Sequence, residues 1–258
     1  MSTTTINFIT HLIGGPSDFA VGWIVILVSS LITITIAMVS FLQWIIKKLN
    51  KKNIYLQKTQ QLAIGMDIRN FENILGNPAF INKLDDELSG YKEFLFSNPY
   101  FYTQAIINSE QQVILFSITT KREDFNPKLG NGSDGDTGPS VVLGKTSFSE
   151  IGNDPQKIFK HYDHGGIGFY SEVFYFGRPG HYLNYAFTLN LNGKPADLNY
   201  TLRSFSDLEE VLDNPSEIEK FRSNTRINTF TVISDIDIDK ITNLILGPRT
   251  GQVWNLNH

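Results

Sequence analysis

His161-Tyr162-Asp163-His164 is the densest group of ionisable side chains in the sequence. Two imidazoles and a carboxylate within four residues can seed a divalent metal site, with His181 or Glu172 as a further ligand. On a helix, His161 and His164 at i and i+3 share a face. The alternative is local: Gly165-Gly166 follow, so the group also fits a helix end at a turn, where the dipole favours an imidazolium. Asp134-Gly135-Asp136-Thr137-Gly138 lacks the alternating oxygen ligands and terminal Glu of an EF-hand and reads as a solvated loop. Leu143-Gly144-Lys145-Thr146 carries the Gly-Lys-Thr end of a phosphate loop, but Pro139 stands where its first glycine belongs. There is no Gly-x-Ser-x-Gly and no His-Glu-x-x-His, although a triad can assemble from distant segments. The expectation is a protein without catalytic residues or cofactor, in which His161, Asp163 and His164 are the weak candidates for a metal.

The elements that position these residues begin with an apolar run. From Phe19 to Ile46 there is no charged residue, and Asp18 and Lys47 bound the stretch. Its 28 positions exceed the ~20 helical residues that a bilayer core requires. Trp23 and Trp44 lie 21 residues apart, roughly 31 Å along a helix, which suits one indole at each interface. A cleaved signal peptide would carry a basic segment before the run and a cleavage site after it, whereas here the lysines follow. Lys47, Lys48, Lys51 and Lys52 flank only the C-terminal side, which predicts a single-pass inner-membrane anchor with its N-terminus outside and the rest cytoplasmic. These lysines would also meet anionic headgroups, making the lipid bilayer the first expected partner. Ser29, Ser30, Thr33, Thr35 and Ser40 can bond back to helix carbonyls or pair with a second helix, which leaves self-association open.

Zero cysteines exclude a disulfide scaffold, thiolate metal sites and thiol nucleophiles. The net charge of −4 becomes −7 once Asp18 and the four flanking lysines are set aside. An acidic domain without a basic run is a poor nucleic-acid binder, because phosphate neutralisation supplies most non-specific affinity.

The expected fold class is α+β: a segment 1–18, a transmembrane helix 19–46, a basic stalk 47–64, and two α+β halves at 65–140 and 141–258. Asp67 is the expected N-cap of a helix with Ile68, Phe71, Ile74 and Leu75 on one face, stopped by Gly76 and Pro78. A second helix is expected over 79–88. Strands follow at Tyr91–Ser97, Tyr100–Asn108 and Gln112–Thr120, then a low-complexity loop at Gly130–Ser140. The order Gly…Phe-x-x-Ile…Gly-Asn…Pro then recurs from Gly144, Phe148, Ile151, Gly152 and Pro155, which points to a tandem duplication. The second half predicts a helical stretch, strands at 167–177 and 181–191, two short helices within 204–224, a strand at Ile227–Ser234, a helix at Asp237–Leu246 and an edge strand at Gly251–Leu256.

The helix bearing Gly65-Met66, Phe71 and Leu75-Gly76-x-Pro78, followed by a meander of aromatic strands, resembles the helix-pair-plus-sheet fold of the β-lactamase-inhibitor-like proteins, including the SmpA/OmlA outer-membrane lipoproteins. The resemblance covers about 64–120 and again 143–192. It departs from the lipoproteins in having no lipobox cysteine and in the predicted side of the membrane. Gln104-Ala105-Ile106, Phe116-Ser117-Ile118-Thr119-Thr120 and Leu143-Gly144-Lys145-Thr146-x-Phe148 are similar to an uncharacterised bacterial family of single-pass membrane-anchored proteins. The first resemblance implies binding of another protein through a sheet face and no catalysis.

Runs such as Tyr100-Phe101-Tyr102 and Phe174-Tyr175-Phe176 place aromatics on both faces of a strand. They fit either a sheet covered on both sides or an aromatic binding face. The expectation is therefore a membrane-anchored, non-enzymatic binding or sensor module with a protein partner. An outward-facing envelope-assembly protein or a membrane-bound hydrolase is the alternative.

Overall fold

The computed structural model describes residues 16–84, 88–130, 140–162, 168–176, 183–191, 214–234 and 247. The chain divides into two compact units, Met1–Asn53 and Ile54–His258.

Helix α1, Pro16–Gln60, runs through the whole uncharged stretch and past the lysines, so the expected stalk is helix as far as Gln60. Ile26, Leu31, Ile34, Met38 and Phe41 each stay more than half exposed. Ser29, Ser30, Thr33 and Thr35 donate their hydroxyls to the carbonyls of Ile26, Leu27, Ser29 and Leu31 at 2.8–2.9 Å. The segment is thus long and apolar enough for a membrane span or a signal sequence, with these polar side chains satisfied inside the helix.

In the second unit the last turns of α1 supply Tyr55, whose ring packs 5.1 Å from Tyr100 and 6.3 Å from Phe101. Helix α2, Ile68–Leu75, starts where Asp67 accepts the Arg69 N–H at 2.8 Å, and ends at Gly76, whose φ of +94° a residue with a side chain resists. Its buried face sets Phe71 against Phe96 and Phe116.

The strands are β1 Phe80–Lys83, β2 Lys92–Ser97, β3 Phe101–Ile107, β4 Val113–Thr120, β5 Lys128–Leu129, β6 Val141–Val142, β7 Lys157–Tyr162, β8 Gly168–Tyr175, β9 Asn184–Asn190 and β10 Thr229–Ile233. A 3₁₀ turn at Phe148–Glu150 precedes β7, and helix α3, Pro215–Asn224, precedes β10. Eight strands form one sheet in the order β1-β2-β3-β4-β10-β9-β8-β7, with every pairing antiparallel. The fold is α+β, and its sheet consists of two four-stranded meanders in mirrored order, joined where β4 meets β10 with Ser117 opposite Thr231.

Each meander is entered the same way. Gly65 donates its N–H to the Val113 carbonyl at 2.8 Å, and Val113 returns one to Met66 at 2.8 Å. Gly144 donates to Ile227 at 2.7 Å, and Ile227 returns one to Thr146 at 3.0 Å. Both glycines have left-handed φ, +80° and +77°, and the next bridges, Asp67 to Gln112 and Ser147 to Arg226, also correspond. The Gly-Lys-Thr segment is therefore a docking strut; its Thr146 Oγ1 accepts the Val142 N–H at 3.0 Å. Gly65→Ala is expected to lose about 1 kcal/mol from the backbone alone. Gly144→Ala should lose more, because its Cβ would lie 2.9 Å from Asn126 Nδ2, which holds the Leu143 carbonyl. Guanidinium denaturation of both variants tests this. Equal losses would show that Asn126 yields without cost.

Two expected helices are strands. Phe80–Lys83, inside the expected helix 79–88, is β1, because alternate residues face the sheet and Phe80 and Ile81 pair with Leu95 and Phe94. The stretch after Pro155 is β7, where buried Phe159 follows exposed Ile158 with period two. One of the two short helices expected within 204–224 is present as α3. The expected elements at 237–246 and 251–256 and most of the Gly130–Ser140 loop lie outside the described residues.

Candidate binding face

Because side chains alternate across a strand, the register assigns each residue to one of two sheet faces. The first face presents Phe94, Phe96, Phe116, Ile118, Phe187, Phe230, Val232 and Phe174, all buried. Phe71 of α2, Phe148 of the 3₁₀ turn and Phe221 of α3 join them in the main apolar cluster. Among the described residues both faces are covered, so the aromatic runs form core. Tyr100, Phe101, Tyr102, Tyr170 and Phe174 are buried, and Tyr175 is the exposed member.

The first face also holds a buried ion pair. Arg222 of α3 reaches Glu172 of β8 through Nε at 2.7 Å and Nη2 at 3.0 Å, and the Tyr170 hydroxyl donates to the same carboxylate at 2.6 Å. Arg222 Nη2 also donates to the carbonyls of Phe148, at 3.3 Å, and Gly152. Burial opposes the Arg222 charge, but the Glu172 hydrogen bond and negative charge outweigh it and raise the guanidinium above its ordinary value. Burial, and then the Glu172 charge, push the Tyr170 phenol far up, so it remains a donor at any physiological pH.

The second face is polar at its centre. One row across the strands reads Ser171, Thr188, Thr229, Thr119, Tyr102 and Ser97, and the next reads Val173, Ala186, Thr231, Ser117, Gln104 and Leu95. Ser171 bonds Thr188 at 2.7 Å, Thr229 bonds Thr119 at 2.8 Å, and Ser117 bonds Thr231 at 2.8 Å. Gln104 donates Nε2 to buried Glu93 at 2.6 Å and accepts the Ser117 hydroxyl at 3.3 Å. Asn82 donates to the other Glu93 oxygen at 2.9 Å. Gly247 approaches this face with its backbone and donates its N–H to Gln104 Oε1 at 2.8 Å. An apolar cluster of Ile106, Leu115, Val173, Ala186 and Ile233 adjoins the polar rows. At the opposite margin Lys121 donates to Ser97 Oγ at 3.1 Å and sits 4.2 Å from the Tyr102 ring centre; burial lowers its pKa.

The expected site residues are not gathered here. His161 lies on β7 opposite Phe169, not on a helix face shared with His164, while Asp163, His164 and His181 lie outside the described residues. Glu172, the other proposed ligand, is engaged by Arg222 and Tyr170. No cluster of three metal-ligating side chains occurs among the described residues. Trp23 and the four lysines lie in α1, and Trp44, exposed, stacks on Phe41 at 6.0 Å. The polar face was signalled only by Ser, Thr and Gln alternating with apolar residues in strands, a pattern that ordinarily marks a side facing water.

No family model matches the chain, and no curated protein matches it. Among solved structures, a cysteine-rich secretory protein from Staphylococcus aureus subsp. aureus Mu50 is similar at 11% identity and a TM-score of 0.34, over 67% of this chain and 44% of that one. The match thus spans less than half of that protein. It carries no conclusion about fold or function.

Proposed function

We propose that this protein is a membrane-anchored binding or sensor module, with α1 as a single-pass inner-membrane anchor and the sheet domain in the cytoplasm. The observation that carries the reading is the α1 surface: a 28-residue uncharged run, exposed from Ile26 to Ile46 at every position but half-buried Ile45, with Lys47, Lys48, Lys51 and Lys52 on its C-terminal side only. Trp23 and Trp44 serve as the interfacial anchors and the lysines as contacts to anionic headgroups. With their hydroxyls bonded internally, Ser29, Ser30, Thr33 and Thr35 let the helix sit alone in lipid and still permit self-association. The mirrored meanders and the repeated glycine struts support an origin of the sheet domain by tandem duplication. Binding through a sheet face, as the β-lactamase-inhibitor-like resemblance implies, belongs to the same proposal.

The test uses the absence of native cysteine. Single cysteines at Ser2 and at Asn257 are treated in intact cells with a membrane-impermeant maleimide. Labelling of Ser2→Cys alone is expected. Labelling of Asn257→Cys alone would reverse the orientation and favour an envelope-assembly role.

A further inference from the structure

The two edge strands of the large sheet, β1 and β7, occupy equivalent places. The glycine struts bind Val113 in one half and Ile227 in the other, so Ser117 of β4 corresponds to Thr231 of β10. Outward from Ser117 the cross-strand row reads Gln104, Leu95 and Phe80; outward from Thr231 it reads Ala186, Val173 and Lys157. Phe80 therefore corresponds to Lys157, and in that alignment three residues recur: Pro78, Ile81 and Lys83 on one edge, Pro155, Ile158 and Lys160 on the other. Their neighbours differ, with Asn82 answered by Phe159 and buried Gln104 by Ala186.

The recurring isoleucine is an exposed one. Ile81 is 57% exposed and Ile158 42%, and both lie on the first face, opposite Phe94 and Glu172. An apolar side chain left in water adds little to the fold, so core packing does not account for its presence on both edges.

The backbone beside each isoleucine is also unpaired. Leu84 donates its N–H to Tyr91 at 3.2 Å, so by the alternation of an antiparallel ladder Asn82 and Phe80 face β2, and Ile81 and Lys83 turn their N–H and C=O groups outward. Phe176 donates to Leu183 at 3.4 Å, which by the same alternation turns Ile158 and Lys160 away from β8.

The two edges suit each other. Eight strands with every pairing antiparallel make β1 and β7 run in opposite directions. A second copy laid beside either edge, directly or after a half-turn about the sheet normal, therefore continues the sheet antiparallel with its first face on the same side. With isoleucine opposite isoleucine, Lys83 and Lys160 fall opposite Ala79 or Gln156 whichever edges meet, so no lysine opposes another. The lysines that ordinarily keep an edge single thus permit this one register.

We propose that the edges β1 and β7 are docking sites for a second copy of this chain, whose edge strand adds antiparallel with isoleucine opposite isoleucine. The ladder is short, and it gains from α1, which holds the copies in one bilayer at high effective concentration. The proposal rests on the anchor reading to that extent only.

The test is disulfide formation in membranes carrying the full chain, which has no native thiol. Facing residues that exchange two backbone hydrogen bonds have Cα atoms about 5.5 Å apart, within disulfide reach. Membranes holding both Ile81→Cys and Ile158→Cys chains are expected to form linked dimers on mild oxidation at least about 10-fold faster than two controls. One is Glu110→Cys, on the exposed β3–β4 turn. The other is Lys83→Cys, whose own copies stand at least four positions out of register, roughly 13 Å along the strand. Adding Lys83→Pro and Lys160→Pro to the isoleucine variants removes edge N–H groups that β2 and β8 do not use. It should slow linking at least several-fold while the guanidinium midpoint stays unchanged. Linking no faster than Glu110→Cys would overturn the proposal. So would Lys83→Cys linking as fast as the isoleucine positions, a rate indifferent to the prolines, or linkage only to other proteins. A reversed topology in intact cells would leave this pattern unaltered, so the two readings fail separately.

Discussion

Arg222→Met is expected to destabilise the sheet domain by about 3–5 kcal/mol, the usual cost of removing one member of a buried ion pair. Glu172 is fully buried and the Arg222 side chain is one-tenth exposed, so the carboxylate cannot regain water without the helix moving. The loss has three parts: a buried Glu172 charge left with the Tyr170 hydroxyl, two carbonyls at Phe148 and Gly152 deprived of this donor, and an α3 that no longer has this tie beside its apolar contacts through Phe221 and Ile218. Glu172→Gln in the Arg222→Met background removes the stranded charge and should restore a large part of the loss. Denaturant titration of the wild type, both single variants and the double variant measures the coupling. An Arg222→Met loss under about 1 kcal/mol would mean that water reaches Glu172 as soon as the guanidinium leaves.

The elements with strong local signals were legible in the sequence. Asp67 and Gly76 mark the ends of α2 by capping chemistry, and β2, β3, β4, β8, β9 and β10 appear within two or three residues of their aromatic and β-branched runs. The errors fall at the sheet edges. Phe80–Lys83 and Lys157–Tyr162 are the two edge strands of the sheet, and each has its conformation decided by pairing with a single partner, β2 or β8, that no local pattern reveals. The polar second face was hidden for a related reason. Ser117 between Phe116 and Ile118 reads as a residue turned to solvent, and only the tertiary structure shows Ser117 and its row partners Gln104 and Thr231 fully buried. Glu172 and Arg222, fifty positions apart, form a contact that spacing could not announce.

Phe71→Ala and Phe148→Ala are each expected to lose about 3–5 kcal/mol, because both remove a fully buried ring from the first face. Both phenylalanines lie just past a left-handed glycine strut, at different offsets from the corresponding capping residues: Phe71 comes four residues after Asp67 and Phe148 one after Ser147. Their surroundings have diverged. Phe71 meets Phe96 and Phe116 of the sheet, whereas Phe148 meets Tyr170 of the sheet at 5.1 Å and Phe221 of α3 at 6.2 Å. Phe148→Ala therefore also loosens the helix that Arg222 fastens, and its loss should couple to Arg222→Met, while that of Phe71→Ala should add to it within about 0.5 kcal/mol. A double-variant cycle for each pair checks this. Strong coupling of Phe71 to Arg222 would show that the halves no longer respond as separate packing units. Additivity there, with coupling confined to Phe148, would fit a duplicated scaffold whose second copy gained α3 as a local insertion between β9 and β10 while the shared sheet kept the original order of its strands.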